Sequence, residues 1–343
     1  MAHKSKKIYA LLLAGGSGER LWPLSRKDKP KQLLSIENER SLLEDTVERI
    51  ASMVPRENIW VVTTEQQMEE IAGAVQDRVG LVTVEPESRN TGPAILLNCM
   101  AIQANDPEAL VAVFPSDHYI AQTKHFSEFI VHALDSADTL QRIVSVGVKP
   151  SYPALGYGYI EYEATKHEFP CKVKKFIEKP TAKRVQALMK KENVLWNTGI
   201  FCAPVGLVVE EFENHAPELF KAVKSYWIDG ASYANVPAVA IDYALMEKSK
   251  KISVLPANFV WCDVGNLATF MSLRAQQHEV DIIEIDSNNN LIDVQKNLVA
   301  LISVEDLCIV QTDDILLVAK RSETDKVKLV LETLKHNSFD EYL

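Results

Sequence analysis

The sequence predicts an α/β fold, a mixed but mostly parallel sheet with helices on both faces and a short β-solenoid behind it. Three observations carry that expectation. Apolar runs of strand length alternate with helix-period segments through the first half. Glycine-rich, polar and acidic residues collect just after those runs, where open α/β sheets hold their ligands. The texture then shifts twice, near residues 150 and 280, to shorter strand-like pieces.

Taken in order, IYALLLAG (8–15), NIWVVTT (58–64), LVTVEPE (81–87), ALVAVFPSDH (109–118) and RIVSVGV (142–148) read as strands buried on both faces. SLLEDTVERIASM, EQQMEEIAGAVQDR, TGPAILLNCMAIQAN and HFSEFIVHALDSAD, between them, have helical spacing. Repeated β-α-β of this kind sets strands parallel. From about 150, GYGYIEYE, KVKKFIEKP, NTGIFCA and NFVWCDVG read as a mixed extension of the same sheet, a second wall to the cleft. Helices near 181–192, 205–215 and 241–249 separate them. Residues 1–280 are thus expected to form one domain and 281–343 another. In the second, DIIEIDSNNNLIDV, NLVALISVEDLCIV and DDILLVAK suit a few solenoid coils, followed by an amphipathic helix near 323–335. The run Asn288-Asn289-Asn290 reads as a turn.

Hydrophobic residues make up 47% and charged residues 24%, the balance of a globular protein. A net charge of -10 argues against a nucleic-acid backbone binder, so an anionic ligand needs a local cationic pocket. The five cysteines (99, 171, 202, 262 and 308) show no CxxC or Cys/His pairing, which points to a reducing compartment rather than a disulfide framework or zinc site. No apolar run reaches the ~18 residues of a membrane span. The basic N-terminus leads into a glycine turn rather than a cleavage-type site, so a cytoplasmic protein without membrane partners is expected.

The stretch AGGSGERLWPLSRKDKPKQ (14–32) is the first candidate site. It fails the dinucleotide fingerprint, because the third glycine position after Gly16 and Gly18 is Leu21. It fails the Walker A pattern too, because Arg20 stands five residues after Gly15. A strand, a flexible turn and exposed backbone N–H groups still describe an anion cradle.

This stretch resembles the signature of the sugar-1-phosphate nucleotidyltransferases, and its PLSR…PKQ form is most similar to their mannose-1-phosphate guanylyl-transferring branch. The resemblance continues in family order through EPESRNTGPA (85–94), FPSDH (114–118), GYGYIE (156–161), FIEKP (176–180), WNTGIF (196–201), DYALMEKS (242–249) and WCDVGN (261–266). It implies a Rossmann-like nucleotide-diphospho-sugar transferase fold with a left-handed β-helix-like C-terminal segment. It also implies attack of mannose 1-phosphate on the α-phosphorus of GTP, releasing pyrophosphate. A phosphate monoester loses its second proton near pH ~6, so this nucleophile needs no general base. Positioning and electrostatics remain for the protein to supply.

The family pattern carries over residue by residue. Ala14, Gly15, Gly16, Ser17 and Gly18 line the triphosphate, with Ser116 nearby. Arg20 supports the β/γ end and Lys31 the α-phosphate, whereas Arg26, Lys27 and Lys29 stay divided between pyrophosphate and solvent. Glu85 reads guanine, and Arg89 and Asn90 meet base, ribose or phosphate, with helix capping by Asn90 or Thr91 compatible with that role. On the second wall Gly156, Tyr157, Glu178, Lys179 and Asn197 hold the sugar phosphate. Asp117 and Asp263 hold Mg²⁺ (or Mn²⁺). Because this chemistry has no proton to abstract, His118 beside Asp117 is expected to give a supporting hydrogen bond rather than act as a base. Two alternatives stay open: a sister enzyme for a manno-heptose 1-phosphate or for dTTP with glucose 1-phosphate, and a non-catalytic subunit that binds nucleotide sugars as a regulator. With roughly 60 residues after 280, the isomerase domain of bifunctional relatives is not expected in this sequence. A homodimer through the C-terminal segment is expected from the resemblance and from unpaired-edge logic.

Overall fold

The computed structural model describes residues 6–37, 39–163, 169–274 and 281–343. Strands β1 (Ile8–Leu13), β2 (Ile59–Thr64), β3 (Leu81–Glu85) and β4 (Leu110–Pro115) alternate with helices α1 (Leu42–Ala51), α2 (Met68–Val75) and α3 (Thr91–Asn105). The short strand β5 (Tyr119–Ile120) and helix α4 (Thr123–Leu140) lead to β6 (Ile143–Val148). Then come β7 (Tyr159–Tyr162), β8 (Cys171–Ile177), α5 (Ala182–Leu188) and the long β9 (Val194–Pro204). Helices α6 (Val205–His215) and α7 (Pro217–Asp229), strands β10 (Ile252–Pro256) and β11 (Trp261–Cys262), and helix α8 (Leu267–Arg274) complete the first part.

Nine strands form one sheet in the order β3-β2-β1-β4-β9-β6-β10-β8-β7. The β3-β2-β1-β4 half is parallel, and β9 runs antiparallel between β4 and β6. Both faces are covered, as continuous apolar strands require. On β1 the period-2 alternation sends Tyr9 and Leu11 into one core with α3 and α6, and Ala10 and Leu12 into the other with α1 and α4. A capping box between Ser41 and Glu44 starts α1.

The strand expectations of the first half hold within one to three residues at each end, and four elements were not expected: β5, α7, β10 and α8. The helix expected over 241–249 is reduced to one wide π-type turn, Asp242–Met246. Of NFVWCDVG only Trp261 and Cys262 are strand, and they pair antiparallel with Tyr119 and Ile120 outside the main sheet.

The C-terminal strands are β12 (Ile282–Ile285), β13 (Leu291–Asp293), β14 (Val299–Ile302), β15 (Leu307–Gln311) and β16 (Leu316–Lys320). β12 pairs in parallel with β14, and β13 with β15. Side chains bond across the same 17-residue offset, Ser287 to Val304 and Asn290 to Leu307 among them, so the asparagine run is a turn that also ladders onto the next layer. The last strand departs from that pattern: β16 turns back antiparallel on β15. Leu267 and Met271 of α8 pack on Leu291, Cys308 and Val310, which seats the segment against the first part. Helix α9 (Val327–His336) buries Val327 and Leu331 on Trp22, whose indole N–H donates to the Tyr342 carbonyl at 2.7 Å.

Candidate active site

The glycine loop leaves β1 over the C-terminal ends of the parallel strands. Ala14 is tied to β2 by its N–H on the Val62 carbonyl, and the Gln32 and Gln67 amides both donate to the Gly16 carbonyl at 3.1 Å. Those anchors hold the loop while its N–H groups stay available to an anion. Gly18 has φ +68°, and a Cβ there would lie 2.4 Å from Cβ of Lys31. Only glycine meets both demands.

Lys31 follows Pro30 into a single tight turn and points back under the loop. Its ammonium donates to the Asp263 carbonyl at 2.7 Å and pairs with Asp117 Oδ2 at 2.9 Å. Burial pushes the Asp117 carboxyl up, but the Lys31 charge and hydrogen bond outweigh it and hold the group below the usual carboxylate range. The β5–β11 pairing explains how Asp263 reaches this point, because its register sets Cys262, next to Asp263, against Tyr119, two residues after Asp117. Next to Asp263, the fully buried Val264 holds φ +51°, a strained conformation for a β-branched residue that fixes where the aspartate sits. The Tyr157 hydroxyl donates to Asp263 Oδ1 at 3.0 Å. His118 is buried beside it and accepts at Nδ1 from the Trp261 indole N–H at 3.1 Å. Burial keeps its imidazole below the usual histidine range.

Two cavities meet here. The larger, about 460 Å³, is lined by Gly15, Gly16, Glu85, Asn90 and Asp117. The smaller, about 190 Å³, is lined by Gly156, Tyr157, Glu178, Lys179, Asn197 and Asp263. Leu13, Thr91 and Pro115 belong to both walls. One aspartate therefore faces each cavity, with the Lys31 ammonium between them.

In the larger cavity Glu85, at the end of β3, is buried and accepts from the Tyr233 hydroxyl. Burial lifts its carboxyl to about 7, against the lowering effect of that hydrogen bond. Asn90 caps α3 through its side chain on the Thr91 N–H at 2.8 Å, and Arg89 pairs with Glu87 at 2.6 Å. In the smaller cavity a Cβ on Gly156 would meet nothing within 4 Å, whereas one on Gly158 would lie 2.5 Å from Glu178 Oε2. Gly156 thus leaves open space, and a side chain at Gly158 would displace the Glu178 carboxylate. Burial raises the Glu178 carboxyl although Lys179 lies 3.3 Å away. Asp242 was not expected. Its carboxylate accepts from Asn197 at 3.1 Å, and burial, then the Glu178 charge, push it up to about 7. Two such carboxyls side by side can offer a sugar hydroxyl both a donor and an acceptor. Asp242 stood inside DYALMEKS, so the motif was visible, but nothing in the sequence brings that turn to Asn197. Tyr233 carried no signal at all.

Other expected residues are not brought together with these. Arg20 is exposed and lines neither cavity, and Ser17 faces a separate hollow against α9. Ser116 is fully buried and its hydroxyl donates to the Leu13 carbonyl at 2.7 Å, a tie between β1 and β4. Arg26 pairs with Asp314 at 2.7 Å, so it joins the two parts of the chain, while Lys27 and Lys29 are exposed.

A glycine loop thus stands over one cavity, and a cation is bridged between two aspartates, one facing each cavity. The family model described as nucleotidyl transferase matches residues 9–280, and the chain belongs to that family. Residues 281–334 match the model of the MannoseP isomerase/GMP-like beta-helix domain, so the C-terminal part is β-helix-like. Among named relatives, the chain is 34% identical to Mannose-1-phosphate guanylyltransferase 2 of Escherichia coli O157:H7, over 98% of this chain and 75% of that protein. It is 31% identical to Mannose-1-phosphate guanylyltransferase ManC of Salmonella typhimurium LT2, over 100% of this chain and 76% of that protein. The crystal structure of a protein called mannose-1-phosphate geranyltransferase from Thermus thermophilus superposes with a TM-score of 0.85 at 31% identity, covering 96% of this chain and 99% of that one.

Proposed function

We propose that this chain is a mannose-1-phosphate guanylyltransferase, transferring GMP from GTP to α-D-mannose 1-phosphate to give GDP-mannose and pyrophosphate. The observation that carries the reading is the Lys31 ammonium held between Asp117 and Asp263 where the two cavities join. GTP takes the larger cavity, its guanine N1–H and exocyclic amine donating to Glu85, with Arg89 and Asn90 on base, ribose or phosphate. Ala14, Gly15, Gly16 and Gly18 belong to the loop wall around the triphosphate; Ser17 could join them only by turning away from the α9 hollow, Ser116 acts behind them by tying β1 to β4, and Arg20 turns in on the β/γ end. Mannose 1-phosphate takes the smaller cavity, with Gly156, Tyr157, Glu178, Lys179, Asn197 and Asp242 around it. Lys31 has one N–H beyond its two bonds and can follow charge onto the α-phosphate as the new bond forms.

Mg²⁺ or Mn²⁺ suits the donor set. Among the described residues no cluster of three or more acidic, His or Cys side chains is arranged for a metal. Two carboxylates at the seam match a cation that takes one or two protein carboxylates and completes its shell with phosphate oxygens and water. Bound there by Asp117 and Asp263, it would neutralise charge on the phosphates.

Residues 1–280 form the catalytic domain in this reading, and 281–343 a solenoid segment of stacked coils plus terminal helix. The segment carries Ile283, Ile285 and Ile302 exposed on paired strands, which supports a homodimer through this end. A cytoplasmic location belongs to this reading, and no helix among the described residues is long and apolar enough to cross a membrane.

The test is a pyrophosphate-release assay that crosses four nucleoside triphosphates with mannose, glucose and heptose 1-phosphates, with and without Mg²⁺. GTP with mannose 1-phosphate should dominate; equal rates with dTTP would sink the guanine assignment.

A further inference from the structure

We propose that His118 is a fixed hydrogen-bond donor to the sugar 1-phosphate, with Trp261 as the positioning residue that holds the imidazole proton on Nε2, facing the smaller cavity. Indole N–H is a donor with no acceptor capacity. Because it donates to His118 Nδ1 at 3.1 Å, that nitrogen presents a lone pair, and a neutral ring carries its proton on Nε2. The rings meet edge to face with centroids 5.4 Å apart, so the imidazole cannot turn without losing both contacts. The strand pairing sets Cys262 against Tyr119, the neighbours of Asp263 and His118, and both of those residues line the smaller cavity, which puts the histidine at the seam.

Nε2 is left for a ligand. Among the described residues nothing bonds it, it is not a buried orphan, and His118 lines the smaller cavity with Tyr157 and Asp263. Two aspartates flank that point, and Lys31 is already committed to Asp117 and the Asp263 carbonyl, so an entering phosphate gains from a further N–H aimed at it. A neutral N–H whose direction is preset offers a phosphate oxygen other than the attacking one a bond at little ordering cost. The inference rests on the sugar 1-phosphate occupying the smaller cavity.

Two measurements test it. In ¹⁵N-histidine-labelled full-length protein, the His118 signals, identified by their loss in His118→Gln, should show Nε2 protonated and Nδ1 an acceptor. Trp261→Phe should populate both tautomers. In steady state with GTP, His118→Phe should raise KM for mannose 1-phosphate about 10- to 100-fold, the range for a bond to a charged acceptor. KM for GTP should stay within about twofold, because the lost contact is to the other substrate. His118→Gln, whose amide can still donate near the Nε2 position, should recover most of the loss. If His118→Phe does not fold, His118→Asn, with its donor drawn back from the cavity, should show the same split. A protonated Nδ1 in the wild type, an unchanged KM for mannose 1-phosphate, or equal rises for both substrates would overturn the proposal. Wild-type protein that turns over GTP with no sugar 1-phosphate would overturn the functional reading itself, which an unsplit KM alone would not.

Discussion

Gly18 and Lys31 pack so closely that a Cβ on Gly18 would lie 2.4 Å from Cβ of Lys31, and Gly18 has φ +68°. The loop and the lysine therefore cannot move independently. Gly18→Ala should push Lys31 off its two aspartate contacts and strain the turn by roughly 1 kcal/mol. The expected outcome is a kcat lowered by at least about tenfold with only a small drop in melting temperature. A variant with wild-type kcat would separate the loop from the lysine.

Lys31→Ala leaves the Asp117 carboxylate without the cation that holds it down, and the transition state without its nearest donor. Removing a preorganised donor of this sort costs about 10²–10³ in kcat. Lys31→Arg should not rescue it, since a planar fork cannot replace a compact ammonium between a carbonyl and a carboxylate. Quench-flow measurement of the chemical step distinguishes this from slow product release.

Glu85 yields a pH dependence whose sign follows from burial. Its carboxyl sits at about 7, and guanine N1–H needs the ionised form as acceptor. KM for GTP should fall as pH rises through about 7, and Tyr233→Phe, which removes the lowering hydrogen bond, should move that fall to higher pH. Linkage runs the other way for stability. A carboxyl raised in the folded state holds extra protons there, so its contribution is complete below its ordinary value of 4.5 and lost as pH rises through about 7. Melting curves of Glu85→Gln across that window should be flatter than wild type; parallel curves would refute the assignment.

Removing divalent metal with a chelator should stop turnover while leaving the fold intact, because the two aspartates are held by Lys31 and Tyr157 rather than by an ion. Asp263→Asn should raise the Mg²⁺ concentration needed for half-maximal rate and lower kcat by orders of magnitude. Near-wild-type turnover would remove Asp263 from the metal site.

Strands and their parallel direction were legible wherever burial on both faces produced continuous apolar runs, as for β1 to β4, because few arrangements besides a covered parallel sheet give short apolar runs in regular alternation with helices. The glycine loop and both aspartates were legible through short motifs tied to strand ends. What stayed hidden depends on contacts between distant segments. Asp242 acquires its character from Asn197 and Glu178, and Glu85 its raised carboxyl from burial beside Tyr233, pairs that no local spacing encodes. The retreat of β16 onto β15 was hidden for the same reason, since DDILLVAK is as good a coil as a hairpin return. Arg26 shows the converse: a cation beside a phosphate loop looked ambiguous, and its partner Asp314 lies 288 residues on.

That Arg26 contact and the Trp22 indole on the Tyr342 carbonyl, 320 residues apart, back the glycine loop from behind. During synthesis the ribosome makes the loop first and its backing only after some three hundred further residues, on the order of 15–60 s at 5–20 residues per second. Until then Trp22 has no α9 to bury it. A nascent chain can thus assemble the sheet domain by domain, yet the phosphate loop acquires its full support only once the C-terminal segment has emerged and docked.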